Sequence, residues 1–339
     1  MNAILVAFGL IANNYTIESI GTGHIHKTFF LKGDKNFILQ RVNKLVFTKP
    51  EVIAQNLRIA SDYLKLHFPE YRFLSPIKTT DEQEMVYDAE GFPWRLFPYM
   101  EGTITLNEVH NEAQAYNAAK GFAELTKNLR SINTSSFQPT IEKFHDLNWR
   151  YFQFQMALKK ASGEAKQAAK EAIKSANSFA FLVDQYNILI NSNALQIRIT
   201  HNDTKINNIL FSSSTQESYC VIDLDTLMPG YFIYDLGDLV RTVVSPVSEE
   251  EKDTSKITFR KSIYNALIEG YLSEMDCVLS EKEKEAIPFA GMMMTYIMAL
   301  RFLADYLNGN VYYHITYPDQ NLVRAENQLH LLTILSKEL

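Results

Sequence analysis

The 339-residue sequence is poor in cysteine, in positive charge and in long uncharged hydrophobic runs. Its two cysteines, Cys220 and Cys277, cannot build a disulfide framework or a four-thiolate zinc site, which fits a reducing cytoplasm. With 33 basic and 39 acidic side chains, the chain lacks the basic field of proteins that coat nucleic acids or membrane surfaces. The apolar run at residues 1–12 has no basic leader and is too short to cross a bilayer, so we expect a short amphipathic or buried helix there and no transmembrane span.

The remaining composition is that of a globular protein. Hydrophobic residues make up 46% of the chain and charged residues 21%, values that exclude wholesale disorder. Because domains commonly span ~100–200 residues, this length predicts two domains or two lobes around a cleft. No internal repeat or low-complexity linker interrupts the chain, but its patterning changes after residue 102. We therefore expect a small nucleotide-binding lobe at residues 1–102 and a larger lobe at residues 103–339.

Residues 1–102 have the pattern of a β-rich lobe. Short runs of β-branched and aromatic residues separated by turn residues predict antiparallel strands, and Pro50 at the start of a helix-periodic segment predicts one helix. The predicted strands are residues 15–21, 25–31, 36–40, 84–88 and 94–99, and the predicted helix is residues 50–66.

Residues 103–339 are mainly helix-periodic, with a short polar insert that contains strands. The predicted helices are residues 106–129, 148–160, 164–190, 258–274, 281–307 and 318–335, and the predicted strands are residues 197–200, 209–211 and 219–222. A further helix is expected to begin near Tyr234, with Asp235 as its cap. The predicted fold class is α+β, with a small antiparallel sheet lobe and a larger helical lobe.

The densest group of polar residues follows the first strand of that insert. His201, Asp203 and Asn208 form the pattern H-x-D-x-x-x-x-N, and Asp223 and Asp225 follow a second apolar strand as I-D-x-D. Phosphoryl transfer needs one carboxylate to accept the proton of the attacking hydroxyl, and further oxygen ligands to hold Mg²⁺. Asp203 suits the first role, and Asn208 and Asp223 suit the second. Taken singly, each of these residues is also a common turn former.

These motifs resemble those of the aminoglycoside phosphotransferase/choline kinase family, the small-molecule branch of the protein-kinase fold. The likeness extends over the strings THNDTKINNILF, VIDLDTLMPG and YDLGDLVR, with GTGHIH near the start, and it covers nearly the whole chain. The residues that flank these motifs narrow the resemblance to the N-acetylhexosamine 1-kinase branch. The resemblance implies a protein-kinase-like two-lobe fold and Mg²⁺-dependent transfer of the ATP γ-phosphoryl group to the anomeric hydroxyl of an N-acetylhexosamine.

The same resemblance implies roles for the small lobe. Gly21, Gly23 and His24 fall in the hairpin that would cover the phosphates, where glycine permits close backbone approach. His24 could also be a solvent-facing strand residue, as could His26. The carbonyl of Pro98 and the amide of Met100 fall in the connector between the lobes, where backbone groups would meet the adenine edge.

One departure from the family pattern concerns the cation that pairs with the α- and β-phosphates. The family's third strand usually carries Lys or Arg there, whereas this chain has the neutral Gln40. Arg41 is one step further, and strand alternation turns it to the opposite face. We expect Gln40 to position a phosphate by hydrogen bonds and Lys205, two residues past Asp203, to supply the missing charge. The alternative for Lys205 is an ordinary surface lysine.

The acceptor site requires polar side chains beside an aromatic face. Arg301 and Tyr306 lie at helical spacing near the chain's end, and the resemblance implies that both contact the sugar. The alternative is a surface ion pair between Arg301 and Asp305. Asp225 is expected to hold a sugar hydroxyl or a second Mg²⁺, unless it is simply a loop carboxylate.

Two other functions remain open from the sequence. One is the same chemistry on an aminoglycoside, choline, homoserine or another sugar. The other is a non-catalytic, nucleotide-binding pseudokinase, although such a protein would usually have lost Asp203, Asn208 or Asp223. The expected partners are ATP and a small sugar, with no nucleic acid or membrane, for a monomer in the cytoplasm.

Overall fold

The computed structural model describes residues 1–20 and 26–339, which form two lobes. The first lobe is built on a five-stranded antiparallel sheet with strand order β1-β2-β3-β5-β4. Its elements are α1 (Asn2–Ala7), β1 (Thr16–Ile20), β2 (Lys27–Lys32), β3 (Phe37–Arg41), α2 (Pro50–His67), β4 (Val86–Tyr87) and β5 (Pro93–Pro98). The predicted order of three strands, one helix and two strands is confirmed.

The sheet of the first lobe has its own apolar core. Three neighbouring strands contribute the buried side chains of Leu31, Leu39 and Leu96. Ile4 and Leu5 of α1 pack against them. The N-terminal apolar run is therefore a short amphipathic helix that buries Ile4 and Leu5, one of the two alternatives expected. The register places Gln40 of β3 directly opposite Arg95 of β5, so both side chains leave the same face of the sheet.

Helix α2 is attached to the second lobe as well as to the first. Asn56, which is buried, donates hydrogen bonds from Nδ2 to the carbonyls of Gln138 (2.8 Å) and Leu227 (2.9 Å). Its Oδ1 accepts a third bond from the backbone N–H of Gln138 at 3.2 Å. These bonds fix the position of α2 relative to the floor of the cleft.

The second lobe is mainly helical. Its elements are β6 (Thr103–Thr105), α3 (Glu112–Asn128), α4 (Leu147–Lys160), α5 (Gly163–Ala168), α6 (Lys170–Ser178), α7 (Phe181–Asn191), β7 (Arg198–Thr200), β8 (Ile209–Ser212), β9 (Ser218–Val221), β10 (Met228–Gly230), α8 (Phe232–Val243), α9 (Lys261–Met275), α10 (Glu281–Glu285), α11 (Ile287–Leu307) and α12 (Gln320–Glu338). Strand β6 pairs with β8 and β8 with β9, while β7 pairs with β10. The chain thus enters the second lobe just beyond Gly102.

Helix α11 is the central helix of this lobe. By length and composition it could cross a membrane, with a mean hydropathy of 1.5, but 78% of that stretch is buried inside the protein. Helices α4, α8 and α12 pack around it. Its hydrophobicity is therefore explained by its place in the core.

Three predicted helices differ most from the structure: one begins later than expected, and two are each divided. The helix expected from residue 106 begins at Glu112, because Asn111 caps it by accepting a hydrogen bond from the Gln114 N–H. Residues 164–190 form three helices, α5 to α7, rather than one. Residues 281–307 divide into α10 and α11, where Pro288 stands in the first turn of α11 and cannot donate a backbone hydrogen bond.

Candidate active site

The loop after β7 carries the predicted catalytic residue, and Asn202 sets its shape. Asn202 has a φ of 64°, in the left-handed region that asparagine tolerates better than most residues. Its buried side chain donates to the carbonyls of Thr200 (3.0 Å) and Thr226 (2.9 Å). These bonds reverse the chain sharply and leave Asp203 at the rim of the loop.

Asp235 of α8 supports the same loop from below. Its carboxylate is fully buried and accepts hydrogen bonds from the backbone N–H groups of His201 (3.0 Å) and Asn202 (2.7 Å). Burial raises the pKa of Asp235 to about 6. The expectation that it caps α8 is wrong, because that helix begins at Phe232 and the carboxylate is used by the catalytic loop instead.

Asp203 lies between Lys205 and Asn208. The Lys205 Nζ is 3.2 Å from Asp203 Oδ1, and Asn208 Nδ2 donates to Asp203 Oδ2 at 3.1 Å and to its carbonyl at 2.8 Å. Burial disfavours the charged form of Asp203, but the charge and hydrogen bond of Lys205, together with other positive groups nearby, outweigh it, so the pKa of Asp203 lies below its ordinary value. The carboxylate is thus ionised and able to accept a hydrogen bond from a hydroxyl.

The segment at residues 222–225, called the metal loop below, is hydrogen-bonded to residues 201–208, called the catalytic loop. His201 accepts at Nδ1 from the Asp203 N–H (3.1 Å) and donates from Nε2 to the Ile222 carbonyl (2.9 Å). The Ile222 N–H in turn donates to the Asn208 carbonyl at 2.9 Å. These bonds bring the end of β9, and therefore Asp223, next to Asp203 and Asn208.

Asp223 and Asn208 present free oxygen atoms at this point. Asp223 has a φ of 57°, its side chain is exposed, and no described residue pairs with it. Partial loss of hydration in the cleft, together with the negative charges of Asp225 and Asp203, raises the pKa of Asp223 to about 6. Because Asn208 turns its Nδ2 toward Asp203, its Oδ1 is left available. This donor set fits a hard divalent cation such as Mg²⁺.

Asp225 is engaged by the first lobe. Its Oδ2 lies 2.6 Å from His26 Nε2, its Oδ1 lies 2.5 Å from Arg95 Nη1, and the residue is only 2% exposed. Burial opposes its ionisation, but Arg95 and His26 lower the pKa of Asp225 well below its ordinary value. Asp225 is thus engaged by His26 and Arg95, and the expected role of holding a sugar hydroxyl or a second Mg²⁺ stays a prediction.

His26 thereby joins the two lobes. It accepts at Nδ1 from the Asn43 N–H at 3.0 Å, which leaves the hydrogen on Nε2 for Asp225. One ligand atom each from His26, Asp223 and Asp225 lies within 4.8 Å of the others. Since His26 and Asp225 already bind each other, Asp223 is the free carboxylate of this group.

Gln40 lies in the cleft, but its hydrogen bonds go to protein groups. Its Oε1 accepts from Arg95 Nε (2.9 Å) and Nη2 (2.6 Å), and its Nε2 donates to Thr28 Oγ1 at 3.2 Å. Gln40 therefore positions Arg95. Arg95 is the site residue that the sequence analysis missed, because it lies in no motif and only the pairing of β3 with β5 places it beside Gln40.

The connector between the lobes keeps one backbone donor free. Pro98 ends β5, and the Tyr99 N–H donates to the Asn36 carbonyl at 3.2 Å. The Met100 carbonyl accepts from Thr103 Oγ1 at 2.7 Å, whereas no described residue accepts from the Met100 N–H. The predicted hairpin residues Gly21, Gly23 and His24 lie outside the described residues.

Arg301 lies among aromatic rings on the other side of the catalytic loop. Its guanidinium carbon is 5.0 Å from the ring centroid of Phe144, 5.5 Å from that of Tyr313 and 6.0 Å from that of Tyr312. The alternative ion pair with Asp305 does not form. The Asp305 carboxylate instead accepts three backbone N–H groups, those of Val311, Tyr312 and Tyr313.

The structure does not bring Tyr306 together with Arg301. Tyr306 lies beside Asp319 at the start of α12, and its other charged neighbours are Glu164 and Glu326. Five residues along a helix correspond to a rotation of ~140°, which explains why the two side chains diverge.

His145 connects the Arg301 region to the catalytic loop. It is buried next to the Phe144 ring and donates from Nε2 to the Asn202 carbonyl at 2.7 Å. Burial, together with the positive charges of Arg301 and Arg150, lowers the pKa of His145 to about 3. Arg150 donates to the Phe144 carbonyl, and neither arginine forms an ion pair with a described residue. A positively charged, aromatic surface thus flanks the loop that carries Asp203.

Comparison with known proteins adds a family and a fold. Residues 16–271 match the model of a family described as "Phosphotransferase enzyme family". The structure is similar to that of spectinomycin phosphotransferase in complex with ADP and spectinomycin, with 13% identity, a TM-score of 0.63 and coverage of 99% of this chain and 97% of that one. The structure is also similar to that of a microcompartment-associated aminopropanol kinase, with 14% identity, a TM-score of 0.63 and coverage of 99% of this chain and 97% of that one. For choline kinase from Cryptosporidium parvum, the identity is 13%, the TM-score is 0.55, and the coverage is 97% of this chain and 91% of that one. At identities this low, the TM-scores establish a shared fold only, which is the protein-kinase-like two-lobe fold.

Proposed function

The chain belongs to the phosphotransferase enzyme family, and we propose that it is an ATP-dependent kinase that phosphorylates a hydroxyl group of a small sugar. One observation carries the proposal: Asp203, Asn208 and Asp223 converge at the cleft, with Lys205 beside the catalytic carboxylate. The convergence matches the needs of phosphoryl transfer, which are positioning and charge neutralisation rather than covalent chemistry.

In this proposal each residue of the site has its own role. Asp203 orients the acceptor hydroxyl and takes its proton, since Lys205 keeps the carboxylate ionised. Asn208 Oδ1 and the Asp223 carboxylate hold Mg²⁺, which when bound neutralises charge on the phosphates. The Lys205 ammonium, 3.2 Å from Asp203, offsets the charge that develops on the transferred group. The Pro98 carbonyl and the Met100 N–H receive the adenine.

The charge beside the catalytic loop favours a sugar over a cationic acceptor. Arg301 and Arg150 have no carboxylate partner among the described residues, and the nearby Asp305 is occupied by backbone N–H groups. Choline, aminopropanol and aminoglycosides carry positive charge, which this surface would repel. An N-acetylhexosamine is neutral and offers hydroxyl and acetamide oxygens to a guanidinium, together with an apolar ring face for the tyrosines. We therefore propose an N-acetylhexosamine as the acceptor and its anomeric hydroxyl as the site of transfer.

A panel of acceptors tests the substrate and the position of transfer. ADP formation should be stimulated by N-acetylglucosamine or N-acetylgalactosamine in the presence of Mg²⁺, and more weakly or not at all by choline, aminopropanol and aminoglycosides. The methyl glycoside of the preferred sugar has no free anomeric hydroxyl, so it should bind without being phosphorylated. Phosphorylation of the methyl glycoside would show that another hydroxyl is the target, and a cationic amine as the best acceptor would contradict the sugar assignment.

Substitution of the catalytic carboxylate tests the mechanism. Asp203→Asn keeps the shape of the side chain but cannot take a proton, so we expect kcat to fall by roughly 10²–10⁴-fold while ATP binding survives. The measurement is turnover with the best acceptor, together with ATP affinity by calorimetry. Asp34→Asn, the same chemical change on an exposed turn, is the matched control and should keep wild-type turnover. Substantial activity of Asp203→Asn would overturn the assigned role.

A further inference from the structure

The first lobe presents one guanidinium to the cleft at an unexpected position. Arg95 of β5 lies directly opposite Gln40 of β3, the place where the phosphate-pairing cation was expected, and its side chain is 5% exposed. Helix α2 offers no buried carboxylate to such a cation, because its two acidic residues, Glu51 and Asp62, are both exposed. Kinases usually pair the cation of the third strand with a helix carboxylate, and here neither member of that ion pair stands on its usual element.

A different ion pair occupies their place. Arg95 donates from Nε and Nη2 to Gln40 Oε1 and lies 2.5 Å from Asp225 through Nη1. Of the five N–H bonds of a guanidinium, the two hydrogen bonds to Gln40 and the ion-pair contact with Asp225 engage at most three. At least two N–H bonds remain, one on each terminal nitrogen, and Asp223 is the next residue but one along the chain from Asp225. The guanidinium is thus held rigidly at the metal loop with donors to spare.

This arrangement is suited to a phosphate oxygen. A buried arginine whose position is fixed by two partners loses little conformational entropy when it binds an anion, and its planar fork matches the geometry of a phosphate. Asp225 balances the charge of Arg95 when no nucleotide is bound, so the cation can remain in a nearly dry cleft. Lys205, by contrast, lies beside Asp203, at the transferred group rather than along the rest of the phosphate chain.

We propose that Arg95 is the residue that binds the α- and β-phosphates of the nucleotide, with Gln40 and Asp225 as the residues that position it. The cationic function has moved from β3 to the neighbouring strand β5, and its carboxylate partner has moved from the first lobe to the metal loop. The inference rests on the proposed use of ATP.

Nucleotide binding by substituted proteins tests this assignment. Arg95→Gln removes the charge but keeps a hydrogen-bonding group for Asp225, and we expect it to weaken ADP and ATP binding by about ten- to a hundredfold. Adenosine, which has no phosphates, should bind Arg95→Gln as it binds the wild type. Arg41→Ala is the matched control, because Arg41 is the neighbouring strand arginine that pairs with Asp88 outside the cleft, and it should change ADP affinity less than twofold.

Returning the cation to β3 gives a second, independent readout. In Gln40→Lys/Arg95→Gln the lysine stands on the strand opposite, so ADP affinity should recover by at least several-fold over Arg95→Gln alone. Arg95→Lys, which keeps the charge without the fork, should lie between the wild type and Arg95→Gln, and it provides the test if Arg95→Gln does not fold.

Three results would overturn the proposal. Unchanged ADP affinity in a folded Arg95→Gln or Arg95→Lys protein would show that the guanidinium does not meet the phosphates. An equal loss of adenosine and ADP binding would assign Arg95 a purely structural role. Wild-type protein that binds neither ATP nor ADP would overturn the proposed kinase function together with this inference, whereas normal wild-type binding with an unaffected Arg95 variant would overturn this inference alone.

Discussion

At the level of single residues, the catalytic loop depends on a carboxylate that takes no part in the chemistry. Asp235 accepts two backbone N–H groups of the loop from a fully buried position, and Asn202 tightens the same turn from the other side. Removal of either group leaves buried polar atoms without partners, which costs more than the hydrogen bond itself contributes. The position of Asp203 therefore depends on residues that never touch a substrate.

The raised pKa of Asp235 gives a prediction for the pH dependence of stability. The folded protein binds the Asp235 proton more tightly than the unfolded chain does, with a pKa of about 6 against an ordinary value of 3.8. The stabilisation from this group is therefore complete below about pH 4 and is lost as the pH rises to about 6. Asp235→Asn removes this titration, so the wild type should exceed the variant in free energy of unfolding by most at low pH. Denaturant unfolding at a series of pH values, without divalent ions, measures the difference. A difference that stays constant from pH 4 to pH 6 would contradict the prediction.

Sequence predicted some site residues and missed others for a physical reason. Asp203, Asn208 and Asp223 belong to short motifs, and hydrogen bonds between neighbouring segments bring them together. Arg95 and Asp225 are 130 positions apart in sequence and meet only because β5 faces the metal loop across the cleft. The single sequence signal was the neutral Gln40, which indicated that a cation had to come from elsewhere.

At the level of secondary-structure elements, the turn between β4 and β5 is closed by one side chain. The Asp88 Oδ1 accepts the N–H groups of Glu90 (3.0 Å) and Phe92 (2.9 Å), and its Oδ2 accepts from Trp94 and from Arg41, both at 2.9 Å. Burial opposes ionisation, but the bonds from Trp94, Phe92 and Arg41, together with the charge of Arg41, outweigh it and lower the pKa of Asp88 to about 2. The hairpin places β5, and therefore Arg95, in the sheet.

Removal of this carboxylate should destabilise the first lobe. We expect Asp88→Ala to lower the free energy of unfolding by about 2–3 kcal/mol at pH 7, since charge-assisted hydrogen bonds are lost. Because the folded pKa is depressed, the stabilisation is present above about pH 4 and is lost as the pH falls toward 2. The loss on substitution should thus be smaller at pH 3 than at pH 7. Asp34→Ala, in an exposed turn, is the control and should leave stability unchanged.

Helix ends were predicted less well than helix positions, because tertiary contacts decide many of them. The carbonyl of Ala176 near the end of α6 accepts a hydrogen bond from the Tyr296 hydroxyl of α11 at 2.8 Å. A distant side chain thus satisfies a backbone group near that end, and the local sequence between α5 and α7 contains neither glycine nor proline to indicate a break. By contrast, Pro288 marks the start of α11 and was available to sequence reasoning.

At the level of the whole molecule, the lobes are joined by more than the connector at Gly102. Asn56 fastens α2 to the second lobe through three hydrogen bonds, and Asp225 reaches the first lobe through His26 and Arg95. These two attachments lie on different elements. The relative position of the lobes is therefore specified by buried polar groups, which demand one particular geometry.

The attachment at Asn56 can be tested by substitution. Asn56→Ala leaves two carbonyls and one N–H without hydrogen-bond partners in a buried position, so we expect a loss of about 2–4 kcal/mol in the free energy of unfolding. Amides of α2 should also exchange their hydrogens faster, since the helix is released from the second lobe. Chemical denaturation and hydrogen exchange measure the two effects. Gln55→Ala, the exposed neighbour on the same helix, should show neither, and equal effects of both substitutions would contradict the role of Asn56.

The two contacts of Asp225 with the first lobe have a consequence for the catalytic cycle. Widening the cleft at this point separates the carboxylate from His26 and Arg95 together, so each opening carries the cost of two charge-assisted contacts. In the proposed kinase, we expect any step that widens the cleft, such as release of the nucleotide, to carry this cost. We therefore expect the rate of product release to depend on the strength of the ion pair between Asp225 and Arg95.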